Sequence, residues 1–500
     1  MDDILKQIES DASPDTAAAF VRLATDYLAR TRGGEGPVST TQAPAALAAR
    51  FDEPLPLHGS PVDDVVRRIA EQVLPDVNRL YHPMYIGHQV SAPLPAAIWT
   101  DAIVSAVNNS LAVAEMSPAF TAIEGRVVRW MCDLVGFGKA AGGTLTSGGT
   151  EATFAALLAA RAALLPDAWE LGVAADGTGP VVLCGEHAHY AVARAVGQMG
   201  LGTRNLVLLP SRDYRMDVDA LSRALDEQRR AGRPVMAVVA TAGSTATGAF
   251  DDLEAIADLC ERHGTWLHVD GAHGASALLS DAHRHRMRGI ARARSLAWDP
   301  HKMMLLPLSA GVVLVREERE LERAFAQRAP YLFHGDEGER IVDQGVRSFQ
   351  CSRRADALKV WVALQRYGAA GIGALYDGLC ARAAELHALL EARDDFETLH
   401  APESNILCFR WTGGRSSGAV PTDDAALDRV NRELREAYNR SGAGWITATV
   451  LGGRRVLRVT VMNPRTGRAE LERLVEGLSA LGSSIARETA TAPVTPRTAT

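Results

Sequence analysis

Lysine is scarce in this 500-residue chain: of 53 basic residues four are lysines (Lys6, Lys139, Lys302 and Lys359) and the others are arginines. Arginine serves wherever a plain positive charge is enough, but a guanidinium stays protonated and cannot attack a carbonyl as a free amine. A lysine that survives such a bias is a candidate for covalent chemistry. Lys302 stands out, because it follows an apolar strand-like run and sits beside a histidine in Asp299-Pro300-His301-Lys302-Met303-Met304. Lys139 in a glycine-rich loop, Lys359 on a helix and Lys6 near the start read as ordinary surface lysines.

Other absences exclude whole classes of function. No apolar run reaches the roughly 18 to 20 residues of a membrane span. The six cysteines (Cys132, Cys184, Cys260, Cys351, Cys380, Cys408) are scattered without C-x-x-C spacing. That is neither a disulfide framework nor a zinc site, and a reducing cytoplasm is expected. The fourteen histidines form no H-E-x-x-H pair, so no metal is expected. There is no excess of positive charge: the net charge of -7 speaks against nucleic acid or an anionic membrane surface as partner. The opening Met1-Asp2-Asp3-Ile4-Leu5-Lys6 is acidic and helical in character, without a signal-peptide layout, and no internal repeat is visible.

What is present is a globular composition, 47% hydrophobic and 23% charged, long enough for two or three domains and a buried site. The Ala, Arg and Gly content points to a GC-rich bacterial source. Residues 1–90 read as a helical segment broken by a polar loop around 35–44, and 91–135 as helical with little charge. Between about 140 and 316 short apolar runs alternate with helical stretches: Val181-Val182-Leu183-Cys184, Leu206-Val207-Leu208-Leu209, Val235 to Ala240, Trp266-Leu267-His268-Val269 and Gly311 to Val315. Continuous apolar runs are the mark of strands buried on both faces, hence of a mostly parallel α/β sheet. The expected organisation is a large domain over 91–375, a small α+β domain over 376–485 and a Thr/Ala/Pro-rich unstructured tail over 486–500.

Four segments supply complementary chemistry. Gly142-Gly143-Thr144-Leu145-Thr146-Ser147-Gly148-Gly149-Thr150-Glu151 reads as a glycine-rich loop opening a helix that runs to about Leu165. Its small residues, hydroxyls and helix N-terminus suit a phosphate, although a plain capped loop reads the same way. Asp270 ends a buried strand, where it can keep a ring nitrogen protonated or simply cap the next helix. His189, in Glu186-His187-Ala188-His189-Tyr190, follows another strand end; it can stack on a flat cofactor, or be structural. Lys302 can form a Schiff base, given a desolvated cleft and neighbouring His301. Phosphate cradle, strand-end aspartate, stacking histidine and strand-end lysine together fit one cofactor, pyridoxal phosphate.

With these residues in place, the chain resembles the group II pyridoxal-phosphate decarboxylases, which include glutamate, cysteine sulfinate, aromatic amino acid and diaminobutyrate decarboxylases. The resemblance runs from about His82-Pro83 to Asn463-Pro464 and is strongest in Thr146 to Ala160, Val239 to Asp252, Leu267 to Ala277 and Trp298 to Pro307. Tyr331-Leu332-Phe333, Gln350-Cys351-Ser352-Arg353 and Arg458 look most like the glutamate and cysteine sulfinate branch, whose Asn-Pro-His-Lys-Met-Met is close to the motif here. The resemblance implies fold type I: a seven-stranded, mostly parallel sheet in the large domain. It also implies a homodimer with a shared active site, closed by a mobile loop over 331–349.

Roles come from the same resemblance. Lys302 would carry the cofactor and later return protons, Asp270 would pair with the pyridinium nitrogen, and Ala272 would pack on one ring face. His189 would stack on the other. Ser147, Gly148, Gly149, Thr150 and His301 would bind the phosphate, with Thr241 near the ring. Arg458 would bind a substrate carboxylate, and His88 and Gln89 would line the pocket.

Three departures stand out. The family's closing loop carries a tyrosine that protonates the α-carbon, and between His334 and Phe349 there is none. Asp-Ala-Ala followed by an aromatic is Asp270-Gly271-Ala272-His273 here, and His-Pro-Arg is His82-Pro83-Met84. The expected activity is decarboxylation of an L-amino acid, acidic ones slightly favoured, to the amine and carbon dioxide. The alternatives are decarboxylation-dependent oxidative deamination to an aldehyde, transamination on the same cofactor, and a non-catalytic binding protein on the same scaffold.

Overall fold

Each apolar run between 140 and 316 forms a strand, in a computed structural model that describes residues 1–173, 179–325, 343–414 and 423–491. The strands are β1 (Gly142–Thr146), β2 (Val181–Gly185), β3 (Leu206–Leu209), a two-residue hairpin of β4 (Ser211–Arg212) and β5 (Arg215–Met216), β6 (Val235–Thr241), β7 (Trp266–Asp270), β8 (Ser295–Trp298) and β9 (Gly311–Val315). All but the hairpin form one seven-stranded sheet in the order β1-β9-β8-β7-β6-β2-β3. Only β9 is antiparallel to its neighbours, β1 and β8. Every residue of β1, β2, β7, β8 and β9 is buried, as continuous apolar runs require of two-sided strands.

One strand of this sheet was not visible in the sequence. Residues 142–151 read as a loop, yet Gly142–Thr146 is β1 and the helix already begins at Gly149. The glycines serve close packing: a Cβ on Gly143 would lie 2.3 Å from the Val313 carbonyl oxygen on β9. That helix, Gly149–Leu164, is buried through Ala152, Ala155, Ala156, Leu157, Ala159 and Ala160. Alanines allow its backbone to lie close over the sheet, in one core with Val182, Val239, Ala297 and Val313.

β1 is an edge strand, so part of its backbone needs partners from outside the sheet. Glu124, fully buried on the helix Pro118–Val135, supplies one: its Oε1 accepts the Leu145 N–H at 3.1 Å. The same carboxylate takes both Nη atoms of buried Arg353, at 2.7 and 2.9 Å. Removing one partner of such a pair strands a buried charge, so Glu124→Ala is expected to cost about 3–5 kcal/mol. Urea denaturation of the apo-protein measures this; a loss below about 1 kcal/mol would show that the pair is not needed.

The chain divides into two compact units: Met1–His88, Arg382–Ala401 and Leu407–Thr500 form the first, and Gln89–Ala381 with Pro402–Ile406 the second. The N-terminal helical segment therefore belongs to the same unit as the C-terminal α+β region. In the first unit, which takes β11 from Leu407 onward, β10 (Phe396–Thr398), β11 (Ile406–Trp411), β12 (Thr447–Leu451) and β13 (Arg454–Thr460) form a sheet in the order β10-β11-β13-β12. The N-terminal segment joins it through backbone bonds, Val38 N–H to Gly442 and Ile86 N–H to Trp445.

Two expectations are corrected. The tail expected to be unstructured from 486 is helical to Thr491, the end of the helix Arg468–Thr491; residues 492–500 lie outside the described residues. Lys359 is not a surface lysine: it is completely buried in the first turn of Ala357–Glu391, where carboxylates and backbone carbonyls satisfy its ammonium. Most of the loop expected to close the site, 331–342, also lies outside the described residues.

Candidate active site

Strand register brings the candidate residues of the second unit together. Thr241 at the end of β6 is paired in register with Asp270 at the end of β7, and Asp270 with Ala297 on β8. Asp299-Pro300-His301-Lys302 comes directly after β8, so the lysine emerges at the carboxyl edge of the parallel strands, where open α/β sheets bind ligands. Ser147 and Gly148 link β1 to the helix Gly149–Leu164 at the same cavity, and His189 comes after β2. The cavity holds about 360 Å³. Its lining includes all ten residues expected to bind the cofactor: Ser147, Gly148, Gly149, Thr150, His189, Thr241, Asp270, Ala272, His301 and Lys302.

The geometry removes one of the two readings of Asp270. Asp270 does not cap a helix; its Oδ1 accepts the Ala272 N–H at 3.1 Å. Burial pushes its carboxyl above the ordinary carboxylate value, while the Lys302 ammonium and the Ala272 N–H pull the other way. Such a costly buried carboxylate suits a site that receives a cation, such as a protonated ring nitrogen. Lys302 Nζ lies 3.1 Å from Asp299 Oδ2, and His301 Nε2 lies 3.4 Å from the same oxygen. Asp299 Oδ1 is buried with no hydrogen-bond partner among the described residues.

Both histidines present a defined nitrogen. His301 Nδ1 accepts the Ala310 N–H at 3.0 Å, and His189 Nδ1 accepts the Ala191 N–H at 3.3 Å. An Nδ1 that accepts leaves the ring proton on Nε2 in each neutral imidazole. Burial lowers both from the ordinary histidine value, which favours that neutral form.

The cradle differs in one detail from expectation. The N–H and hydroxyl of Ser147 both bond Glu151 Oε2, at 2.8 and 2.6 Å, which leaves less of Ser147 for an anion. Among the described residues no side chain caps the helix at Gly149, so its first-turn N–H groups are available to a phosphate. Gly149 has no room for a side chain: a Cβ would lie 2.7 Å from Ala272 Cβ and 3.0 Å from Asp299 Oδ2. Gly149→Ala is therefore expected to cost about 1–3 kcal/mol of overpacking and to weaken cofactor binding. Fluorescence titration of the apo-protein with pyridoxal phosphate checks this; unchanged affinity would mean that the Ala272 and Asp299 side chains yield freely.

Arg458, His88 and Gln89 are not among the lining of this cavity. Arg458 is buried on β13 of the first unit, its Nη1 lying 3.4 Å from Thr447 Oγ1. His88 is exposed, yet partial desolvation first, and then the charges of Arg458 and Arg435, hold it below the ordinary histidine value. Gln89 opens the second unit, and its buried Nε2 has no hydrogen-bond partner among the described residues.

Sequence reasoning missed Gly243, Thr245, His273, Asp299 and Leu308 as lining residues. Two of them carried a signal. Asp299 stands in the lysine motif where the related branch has asparagine, and His273 stands where the family has an aromatic. His273 Nε2 lies 2.7 Å from Asn405 Oδ1.

Residues 44–412 match the pyridoxal-dependent decarboxylase conserved domain. The chain belongs to this family. It is 31% identical to the acidic amino acid decarboxylase GADL1 of Bos taurus over 84% of this chain and 80% of that one. Identity to the L-2,4-diaminobutyrate decarboxylase of Rhizobium meliloti (strain 1021) is 32%, over 85% and 83%. The crystal structure of Oryza sativa TDC with PLP and tryptamine superposes with a TM-score of 0.87 at 26% identity, covering 95% of this chain and 99% of that one. This decarboxylase has the expected fold type I sheet, its cofactor is pyridoxal phosphate, and it is a carboxy-lyase. An amine, a buried strand-end carboxylate and an anion cradle around one cavity are a donor set that fits that cofactor.

Proposed function

We propose that this decarboxylase converts an acidic L-amino acid to its amine and carbon dioxide, with Lys302, Asp270 and His189 as its catalytic residues. The observation that carries the reading is the cavity in which Lys302 Nζ, Asp270 and the N-terminus of Gly149–Leu164 converge. When bound, the cofactor supplies an electron sink for the pair left behind as carbon dioxide departs. Lys302 would hold the cofactor through its Nζ and would return protons. Asp270 would keep the ring nitrogen protonated, and its buried surroundings would strengthen that charge pairing. His189 would pack against the ring and present its Nε2–H, while His301 Nε2–H and the Gly148-Gly149-Thr150 backbone would hold the phosphate.

The acidic preference rests on Arg458, a buried cation suited to a carboxylate, and on the likeness to GADL1, an acidic amino acid decarboxylase. His88 and Gln89 are proposed to line the substrate side of the site. A cytoplasmic homodimer with a shared active site is the proposed setting, in a bacterial cell. Its support is the family resemblance and the composition; no helix among the described residues is long and apolar enough to cross a membrane.

A second reading has its own observation, the absence of tyrosine between His334 and Phe349. Without that acid, oxygen would take two electrons from the decarboxylated carbon and leave as peroxide, and water would hydrolyse the resulting imine to an aldehyde and ammonia. One experiment separates the readings: the protein with pyridoxal phosphate and a panel of amino acids, scored for carbon dioxide, amine, aldehyde and peroxide. Carbon dioxide with stoichiometric amine, best from aspartate, glutamate or cysteine sulfinate, is expected. Aldehyde matching peroxide would establish the second reading, and an aromatic or basic best substrate would overturn the acidic assignment.

A further inference from the structure

The proposed role of His301 rests on a side chain that the chemistry above does not use. Lys359 is completely buried, in a chain where nearly every other cation is arginine. Its Nζ donates to the Ser309 carbonyl at 2.8 Å and lies 3.5 Å from the Pro307 carbonyl oxygen. Asp356 Oδ1 at 2.9 Å and Asp101 Oδ1 at 3.5 Å balance its charge. The Ser309 carbonyl and the Ala310 N–H belong to one peptide unit, and that N–H donates to His301 Nδ1 at 3.0 Å. The His301 backbone N–H in turn donates to the Ala310 carbonyl at 3.1 Å.

We propose that Lys359 is a positioning residue for the cofactor phosphate, acting through the Ser309–Ala310 peptide to hold His301 with its proton on Nε2. An ammonium on the carbonyl side polarises the peptide and strengthens the donor on its other side. Nδ1 is thereby kept occupied, and the proton stays on Nε2, which lies 3.4 Å from Asp299 Oδ2 and on the Gly148 side of the cavity. If the ring turned or changed tautomer, an unprotonated nitrogen would meet the phosphate. Arginine is a poor substitute, because its planar fork cannot converge on two carbonyls and two carboxylates as a compact ammonium does.

The inference rests on the assignment of His301 to the phosphate, so its test compares pyridoxal phosphate with pyridoxal, which lacks that group. Apo-protein is titrated with each ligand by fluorescence. Lys359→Met is expected to weaken pyridoxal phosphate about tenfold, the scale of one charge-assisted hydrogen bond, while pyridoxal changes less than about twofold. In a His301→Asn background the same substitution should add nothing further. If Lys359→Met does not fold, the charge-retaining Lys359→Arg carries the same expectation. Equal losses for both ligands, no loss for either, or a full additional loss in the His301→Asn background would overturn the proposal. Wild-type protein that binds pyridoxal phosphate no better than pyridoxal would instead overturn the phosphate-site assignment itself.

Discussion

Lys302→Ala is expected to lose carbon dioxide release by about 1,000-fold or more, the scale of a nucleophile that also moves protons. No other amine can take over. Lys6 and Lys139 are exposed on other elements, and Lys359 is buried and bonded to Asp356 and the Ser309 carbonyl. Lys302→Arg should fail as completely, since it keeps the charge beside Asp299 and removes only the capacity to become a free nucleophile. The cradle and Asp270 remain in both variants, so pyridoxal phosphate should still bind, but without a covalent link. Borohydride reduction followed by mass spectrometry reads that link: the wild type should retain the cofactor on the peptide carrying Lys302, and neither variant should. Release of carbon dioxide within about tenfold of wild type in Lys302→Ala would remove the lysine from the chemistry.

The residues that could be read in advance share a property: their chemistry is carried by type and by place in a strand pattern. Lys302 is visible because lysine is rare, and Asp270 because it ends an apolar run. Register then does the rest, since parallel strands ending at Thr241, Asp270 and Trp298 must deliver the residues after them to one edge of the sheet. The missed features depend on contacts between residues far apart in the chain. A glycine pair is as good a loop signal as a strand signal until Val313 is known to press on Gly143. Lys359 looks like a surface lysine until the fold brings Asp101 and the carbonyls of Pro307 and Ser309 around it. His273 looks like a mere departure until Asn405 is seen to fix its orientation.

Asp270→Asn should move activity and stability in opposite directions. The substitution keeps the shape of the side chain and removes its charge, so the cofactor should remain linked to Lys302. The ring nitrogen would no longer be held protonated, and carbon dioxide release is expected to fall about 100- to 1,000-fold. The apo-protein, by contrast, should gain stability. Burial is the largest influence on the Asp270 carboxyl and raises it above its ordinary value. The native state then binds the proton more tightly than the unfolded state, so stability falls as pH rises from the ordinary carboxylate value through the raised one. Asparagine has no such liability, and Asp270→Asn should flatten that part of the stability profile. Asp251, pushed up by burial to about 6, contributes with the same sign in both proteins, so the comparison between variant and wild type isolates Asp270. Urea unfolding of the two apo-proteins from pH 4 to pH 8, with turnover measured on the same preparations, tests both halves. An Asn variant that is less active and also less stable at every pH would mean that Asp270 holds the fold together, and that the lost activity comes from damage to the structure.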